Sequence, residues 1–161
     1  VAGLCRDVHG ILAECSLLVR RQVIEDMAHM TGSTAGQRIY RQYGLSGIRG
    51  EMKNALPSVE KLALPALRAS LAAGKNLEQS GVDAFLALLG SVADTNIVSR
   101  GGTGALEWAN TRARELVSRA AGVDEVSSFD AEMIERNLSP GGCADLLAIT
   151  YFLYFCCGEN K

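Results

Sequence analysis

Apolar residues recur along this chain at alternating intervals of three and four, the spacing that lines one face of a helix. Leu4, Val8, Ile11, Cys15 and Leu18 set the pattern and predict a long first helix reaching Met30. A polar, glycine-containing break follows at Thr31 to Ser33. A short helix from Gln37 to Tyr43 comes next, closed by Gly44 where a left-handed residue commonly ends one. Leu64, Leu67 and Leu71 predict a helix entered after Pro57 and kinked or restarted at Pro65. Val82, Phe85, Leu89, Val92 and Ala93 predict another, with Asp94 at its end, and Leu106, Ala109, Ala113, Leu116 and Ala120 repeat the spacing. Ser127 and Asp130 have the separation of a capping box opening a helix through Arg136. Cys143 to Cys157 is apolar on nearly every face, which predicts a helix in the middle of a bundle. No alternation of apolar and polar residues is long enough to compete as a strand. The chain therefore reads as all-α, a single helical bundle domain over residues 1–161 with glycine-rich junctions.

Composition narrows the function classes. The 161 residues suit one domain with its own core. Sixteen basic against eighteen acidic side chains give a net charge of −2, which speaks against a nucleic-acid partner, since such binders present a basic face. No apolar run approaches the roughly 18 residues of a membrane span, and nothing near Val1 has the form of a signal peptide. The cysteines (Cys5, Cys15, Cys143, Cys156 and Cys157) form no CxxC pair and are joined by only two histidines, His9 and His29. Structural zinc takes about four close ligands, so these thiols read as small buried hydrophobes in a reducing, cytoplasmic setting. Ser16, Ser70 and Ser91 have no histidine nearby in sequence, which leaves a hydrolytic triad without support, and Trp108 reads as core.

The unusual signal is glycine. Seventeen are more than bundle loops need, and many gather at three polar helix junctions. The first, Gly44-Leu-Ser-Gly-Ile-Arg-Gly-Glu51, offers a cation at Arg49 and a carboxylate at Glu51. The second, Asp94-Thr-Asn-Ile-Val-Ser-Arg-Gly-Gly102, sets Arg100 beside bare backbone at a helix start, the makings of an anion site. The third, Asn137-Leu-Ser-Pro-Gly-Gly-Cys-Ala-Asp145, turns at Ser139 and Pro140, opens a helix at Gly141 and Gly142, and carries Asp145 one turn inside. Singly, such clusters are ordinarily turn punctuation. Asp145 either satisfies N–H groups in its own first turn or does metal or substrate work, because a carboxylate on an apolar helix is expensive to bury unpaired. Three clusters in one small domain favour a functional reading. None of them is a Walker loop or a dinucleotide fingerprint.

Taken in order, these motifs resemble the triphosphoribosyl-dephospho-CoA synthase family. The resemblance rests on Asp94-Thr-Asn96 running to Arg100-Gly-Gly102 and on Asn137-Leu-Ser-Pro-Gly-Gly-Cys-Ala-Asp-Leu-Leu147. Thr34-Ala-Gly-Gln37 through Glu51, then Pro57-Ser-Val59 and Leu64-Pro-Ala-Leu67, follow the same pattern. It extends from Thr34 to Phe155 and corresponds to the family's C-terminal half. Cys143 departs from it, standing where the family more often has Ser.

The resemblance implies a transferase joining ATP to 3′-dephospho-CoA with release of adenine. The product is the precursor of the prosthetic group on the acyl carrier subunit of citrate lyase or of malonate decarboxylase, and the Gly44 to Glu51 segment leans toward citrate lyase. In this reaction the acceptor ribose 2′-hydroxyl attacks the anomeric carbon of the ATP ribose through an oxocarbenium-like state. Asp94 and Asp145 would then hold Mg²⁺ on the triphosphate, and Glu51 would take the hydroxyl proton. Arg49 and Arg100 would grip phosphate oxygens, helped by N–H groups at Gly101, Gly102, Gly141 and Gly142, with Asn96 and Ser139 completing the substrate contacts. Exchange of Asp94 or Asp145 for Asn is expected to keep the fold and abolish adenine release. The expected partners are ATP, 3′-dephospho-CoA, and either a second copy of this chain or a separate N-terminal half. The competing reading is a catalytically inactive all-α nucleotide-binding or interaction module.

Overall fold

The computed structural model describes residues 10, 14, 17, 22–29 and 34–156, and among them there is helix and no strand. The helix anticipated from Leu4 to Met30 lies largely outside the described residues; residues 22–28 within it are helical. The remaining elements are α1 (Ala35–Tyr43), α2 (Ile48–Lys53), a π-helical turn (Val59–Ala63) leading into α3 (Leu64–Ala72), α4 (Leu77–Leu89), α5 (Thr95–Ser118), α6 (Val123–Glu135) and α7 (Gly141–Cys156).

Local chemistry sets most of the boundaries. Thr34 caps α1 by accepting from the Gln37 N–H while the Gln37 side chain accepts from the Thr34 N–H, and Asn76 with Gln79 repeats this reciprocal arrangement at α4. Gly44 ends α1 at φ 72°, as its place in the sequence implied. Pro65 is accommodated by a widening of the helix rather than a restart. A proline has no N–H to give, and the Leu64 N–H reaches back five residues to the Val59 carbonyl.

Three expectations are corrected. The helix carrying Val82 and Phe85 stops at Leu89, so Val92 and Ala93 lie in a connection; Asp94 begins the following helix instead of ending this one. The box anticipated at Ser127 and Asp130 falls in the interior of α6, which opens at Gly122, where the Glu125 carboxylate accepts the Gly122 N–H. Finally, α7 is not the centre of the bundle. It buries Cys143, Leu146, Thr150 and Leu153, while Phe152 is 61% exposed.

The centre belongs to α4, which packs against α3, α5, α7 and the π turn. Leu67, Leu88, Leu89, Ile97, Leu116, Leu146 and Leu153 form the closed interior between these elements. Gly81 is what lets α7 approach α4: the Tyr151 hydroxyl lies over its Cα and donates to the Leu77 carbonyl at 3.2 Å. On the other flank, α6 is held to α5 by Trp108 against Phe129, with ring centroids 5.7 Å apart, and by Arg136 over the Trp108 ring at 4.1 Å. Arg112 bonds Glu115 in its own helix and Glu132 in α6. Between α4 and α6 an open groove remains.

A methyl group at Gly81 would overlap Tyr151, so Gly81→Ala is expected to cost about 1–3 kcal/mol, read by chemical denaturation. In a Tyr151→Ala background the same change should cost clearly less; equal costs in both backgrounds would rule out the overlap as the cause.

Candidate functional site

Asp94 is 1% exposed and sits at the N-cap of α5. One oxygen, Oδ1, accepts the Asn96 N–H at 2.8 Å, closing the first turn of its own helix. The other, Oδ2, accepts the Cys143 N–H at 2.9 Å, in the first turn of α7. Helix N-termini carry unpaired N–H donors and the positive end of the helix dipole, so one carboxylate answers two such ends at once. Burial, then the neighbouring Asp94 charge, push the Cys143 thiol well above its ordinary range.

This double cap requires bare backbone around the Asp94-Thr95-Asn96 segment. A methyl at Gly142 would stand 3.1 Å from Asp94 Oδ2, and one at Gly141 2.7 Å from the Asn96 amide nitrogen. At Gly47 it would stand 2.9 Å from the Thr95 side chain, and Gly47 also holds a φ of 54°, which side chains disfavour. Glycines from the first and third motifs thus enclose the start of the second. Their use here is close approach.

The enclosure leaves a hollow of about 190 Å³ whose walls include Gly36, Gly47, Arg49, Asp94, Asn96, Gly142 and Asp145. No hydrogen bond or ion pair among the described residues occupies the Arg49 guanidinium, the Asn96 amide or the Asp145 carboxylate. Asp145 is exposed, so the difficulty of burying it unpaired does not arise. A free cation, a free amide and a free carboxylate face a floor formed by a fourth, fully bonded group. A phosphate-bearing ligand suits such a setting.

The other anticipated residues do not line this hollow. Glu51 accepts from Ser58 twice, N–H to Oε2 at 3.0 Å and O–H to Oε1 at 2.8 Å, which caps the helix beginning at Pro57. It lines a second hollow, of about 240 Å³, that shares Gly47, Val92 and Ala93 with the first. Arg100, Gly101 and Gly102 lie within the span of α5, where two helical stretches meet at a break marked by Gly102 (φ 76°, ψ −176°). They lead into the stretch carrying Leu106 to Leu116, as the sequence implied, although a helical stretch capped by Asp94 precedes them. Arg100 donates to the Asn137 side-chain oxygen at 3.0 Å, and Gly101 lies against Leu138. These residues therefore grip the turn before α7. Ser139 and Gly141 border a larger apolar pocket beside α4 and α6.

Sequence reasoning missed Thr95, Gly36 and Ser58. Ser58 was the most legible of these, since a serine directly after a helix-starting proline is a ready donor for a nearby acid. No group of three or more His, Cys, Asp or Glu among the described residues is arranged to hold a metal ion, and no helix among them is long and apolar enough to cross a membrane.

Fold and site together define an all-α protein with a polar hollow between glycine-enclosed helix ends. The chain belongs to the CitG family, ATP:dephospho-CoA triphosphoribosyl transferases, whose model matches residues 7–161. That match bears out the family drawn from the motifs. No solved structure matches the chain.

Because Asp94 closes two helices, Asp94→Asn is expected to lower stability by about 2 kcal/mol or more in denaturant unfolding, with a donor now set against a backbone N–H. Asp145→Asn, at an exposed position, should stay within about 0.5 kcal/mol. The fold is therefore expected to tolerate the exchange at Asp145 and to be weakened by the exchange at Asp94. In the native protein at mildly alkaline pH, Cys143 should resist alkylation while the exposed Cys156 reacts, as peptide mass mapping would show.

Proposed function

We propose that this chain transfers the triphosphoribosyl group of ATP to the 2′-hydroxyl of 3′-dephospho-CoA, releasing adenine. The observation that carries the proposal is the set of unpartnered polar groups, Arg49, Asn96 and Asp145, around the Asp94 double cap in a member of a transferase family. Arg49 and the first-turn N–H groups at Gly141 and Gly142 bind phosphate oxygens. Asn96 orients the donor ribose and Glu51, held by Ser58, takes the proton of the attacking hydroxyl. Asp94 shapes the floor. Arg100 and Ser139 act from the rim, Arg100 with a charge that neutral Asn137 leaves uncompensated.

The residues also suit Mg²⁺ bound together with nucleotide. That ion is commonly held by one or two carboxylates plus substrate phosphates. Asp145, whose oxygens are unbonded among the described residues, would supply one, with the fully bonded Asp94 adding negative charge behind it. Its contribution would be to offset charge on the triphosphate.

A hollow of about 190 Å³ is smaller than the roughly 300–1,000 Å³ of an ordinary ligand pocket, which supports a further element completing the site. We assign that role to an N-terminal half of the kind the family resemblance implies, or to a second copy of the chain. The likeness of the Gly44 to Glu51 segment supports the citrate lyase branch, and the cysteine usage supports a cytoplasmic setting. The same small volume favours, as second reading, a module that binds nucleotide without turning it over.

Adenine release from ATP with 3′-dephospho-CoA and Mg²⁺ tests the proposal, on this chain alone and with an N-terminal half supplied. Release in either case is the expected outcome, and Arg49→Ala and Asp145→Asn should each reduce it by about 100-fold or more. Nucleotide binding with no release in both preparations would instead establish the binding module.

A further inference from the structure

The groove between α4 and α6 holds about 580 Å³ at its wider end and is mainly apolar, unlike the polar hollow. Phe85, Leu86, Phe129, Met133, Leu138 and Pro140 give it an apolar wall. Ser127, Asp130 and Ser139 add a few polar points to that wall. The groove continues past Val82, Val126 and Ser127 into a second stretch of about 450 Å³ that ends at the Lys75–Asp83 ion pair. It is elongated, mainly apolar and sparsely polar.

Its wider end meets the polar hollow across the first turn of α7. Gly141 lines the groove and lies against Asn96, while its neighbour Gly142 lines the hollow and lies against Asp94. The two spaces share no lining residue, but only backbone stands between them at Gly141 and Gly142, so a molecule long enough to pass over this bare ridge would reach both. Such a molecule needs phosphates at one end and a long, mostly apolar arm with occasional hydrogen-bonding groups at the other. Dephospho-CoA has that form: a nucleoside diphosphate carrying a pantetheine arm, whose gem-dimethyl and methylene groups are interrupted by amides and a hydroxyl.

We propose that the groove between α4 and α6 is the binding site for the pantetheine arm of the acceptor, with the Gly141–Gly142 ridge marking where arm gives way to phosphates. This rests on the reading that dephospho-CoA is the acceptor. The groove then discriminates acceptor from donor, because ATP has phosphates for the hollow and nothing for the groove.

The chain's single tryptophan gives a direct readout, since Trp108 packs on Phe129 and Phe129 lines the groove. Pantetheine alone, titrated without nucleotide, should change Trp108 emission saturably in the wild-type protein. Ser127→Trp would block the groove but add a second fluorophore, so that variant is followed by calorimetry. Ile134→Lys places a charge at a groove position that is 69% exposed and therefore tolerant of substitution. Both variants should weaken dephospho-CoA binding about tenfold while ATP binding stays within about twofold. Unchanged dephospho-CoA affinity in both, or no response of the wild-type protein to pantetheine, would overturn the assignment. Adenine release measured in the same preparations reports separately on the proposed transfer, so that either can fail without the other.

Discussion

Two helices in this protein begin at the same carboxylate. Asp94 gives one oxygen to the first turn of α5 and the other to the first turn of α7, almost fully out of water. A buried carboxylate is costly unless every bonding site on it is met, and helix N-termini are among the few groups able to meet it without a counter-ion. The arrangement fixes where α7 starts relative to α5, and with it the hollow in which Arg49, Asn96 and Asp145 stand free. It also accounts for the glycines, since Gly47, Gly141 and Gly142 stand where any side chain would press on the capping segment.

Structural and chemical duties are divided among residues that look alike in sequence. Asp94 and Glu51 have hydrogen bonds on both oxygens, one holding two helices and the other the helix after Pro57. Asp145 has none among the described residues, nor does Arg49. Arg100 holds the Asn137 turn that leads into α7 while keeping a charge that this neutral partner does not offset. The groups left over are those suited to a highly charged ligand, in keeping with a family that handles ATP and dephospho-CoA. Rigid, satisfied groups support free ones.

Much of the helical scaffold was legible because the three-and-four spacing survives in it. Ala109, Ala113 and Leu116 are buried as their spacing implied, and Gly44 closes its helix. The reading faltered where a residue has two local uses. Ser127 has the spacing of a cap, yet Glu125 reaches the Gly122 N–H and opens the helix a turn earlier. Asp94 fits either end of a helix by composition, and only its bond to the Asn96 N–H decides which. The uniformly apolar α7 gave no periodicity to follow, and its Phe152 faces outward while α4 takes the centre.

By itself the sequence determined the helical class, some of the helix ends and the three motifs whose order identifies the family, because each depends on short-range spacing and on glycine, proline and capping chemistry. The tertiary structure alone decided which of the motif residues meet. Asp94 pairs with Cys143 across 49 positions and Arg100 with Asn137 across 37, separations at which no local rule operates. It also decided that Asp145 is exposed and that α4 and α6 stand apart, since both follow from how whole helices pack once the shared carboxylate has set their starting points.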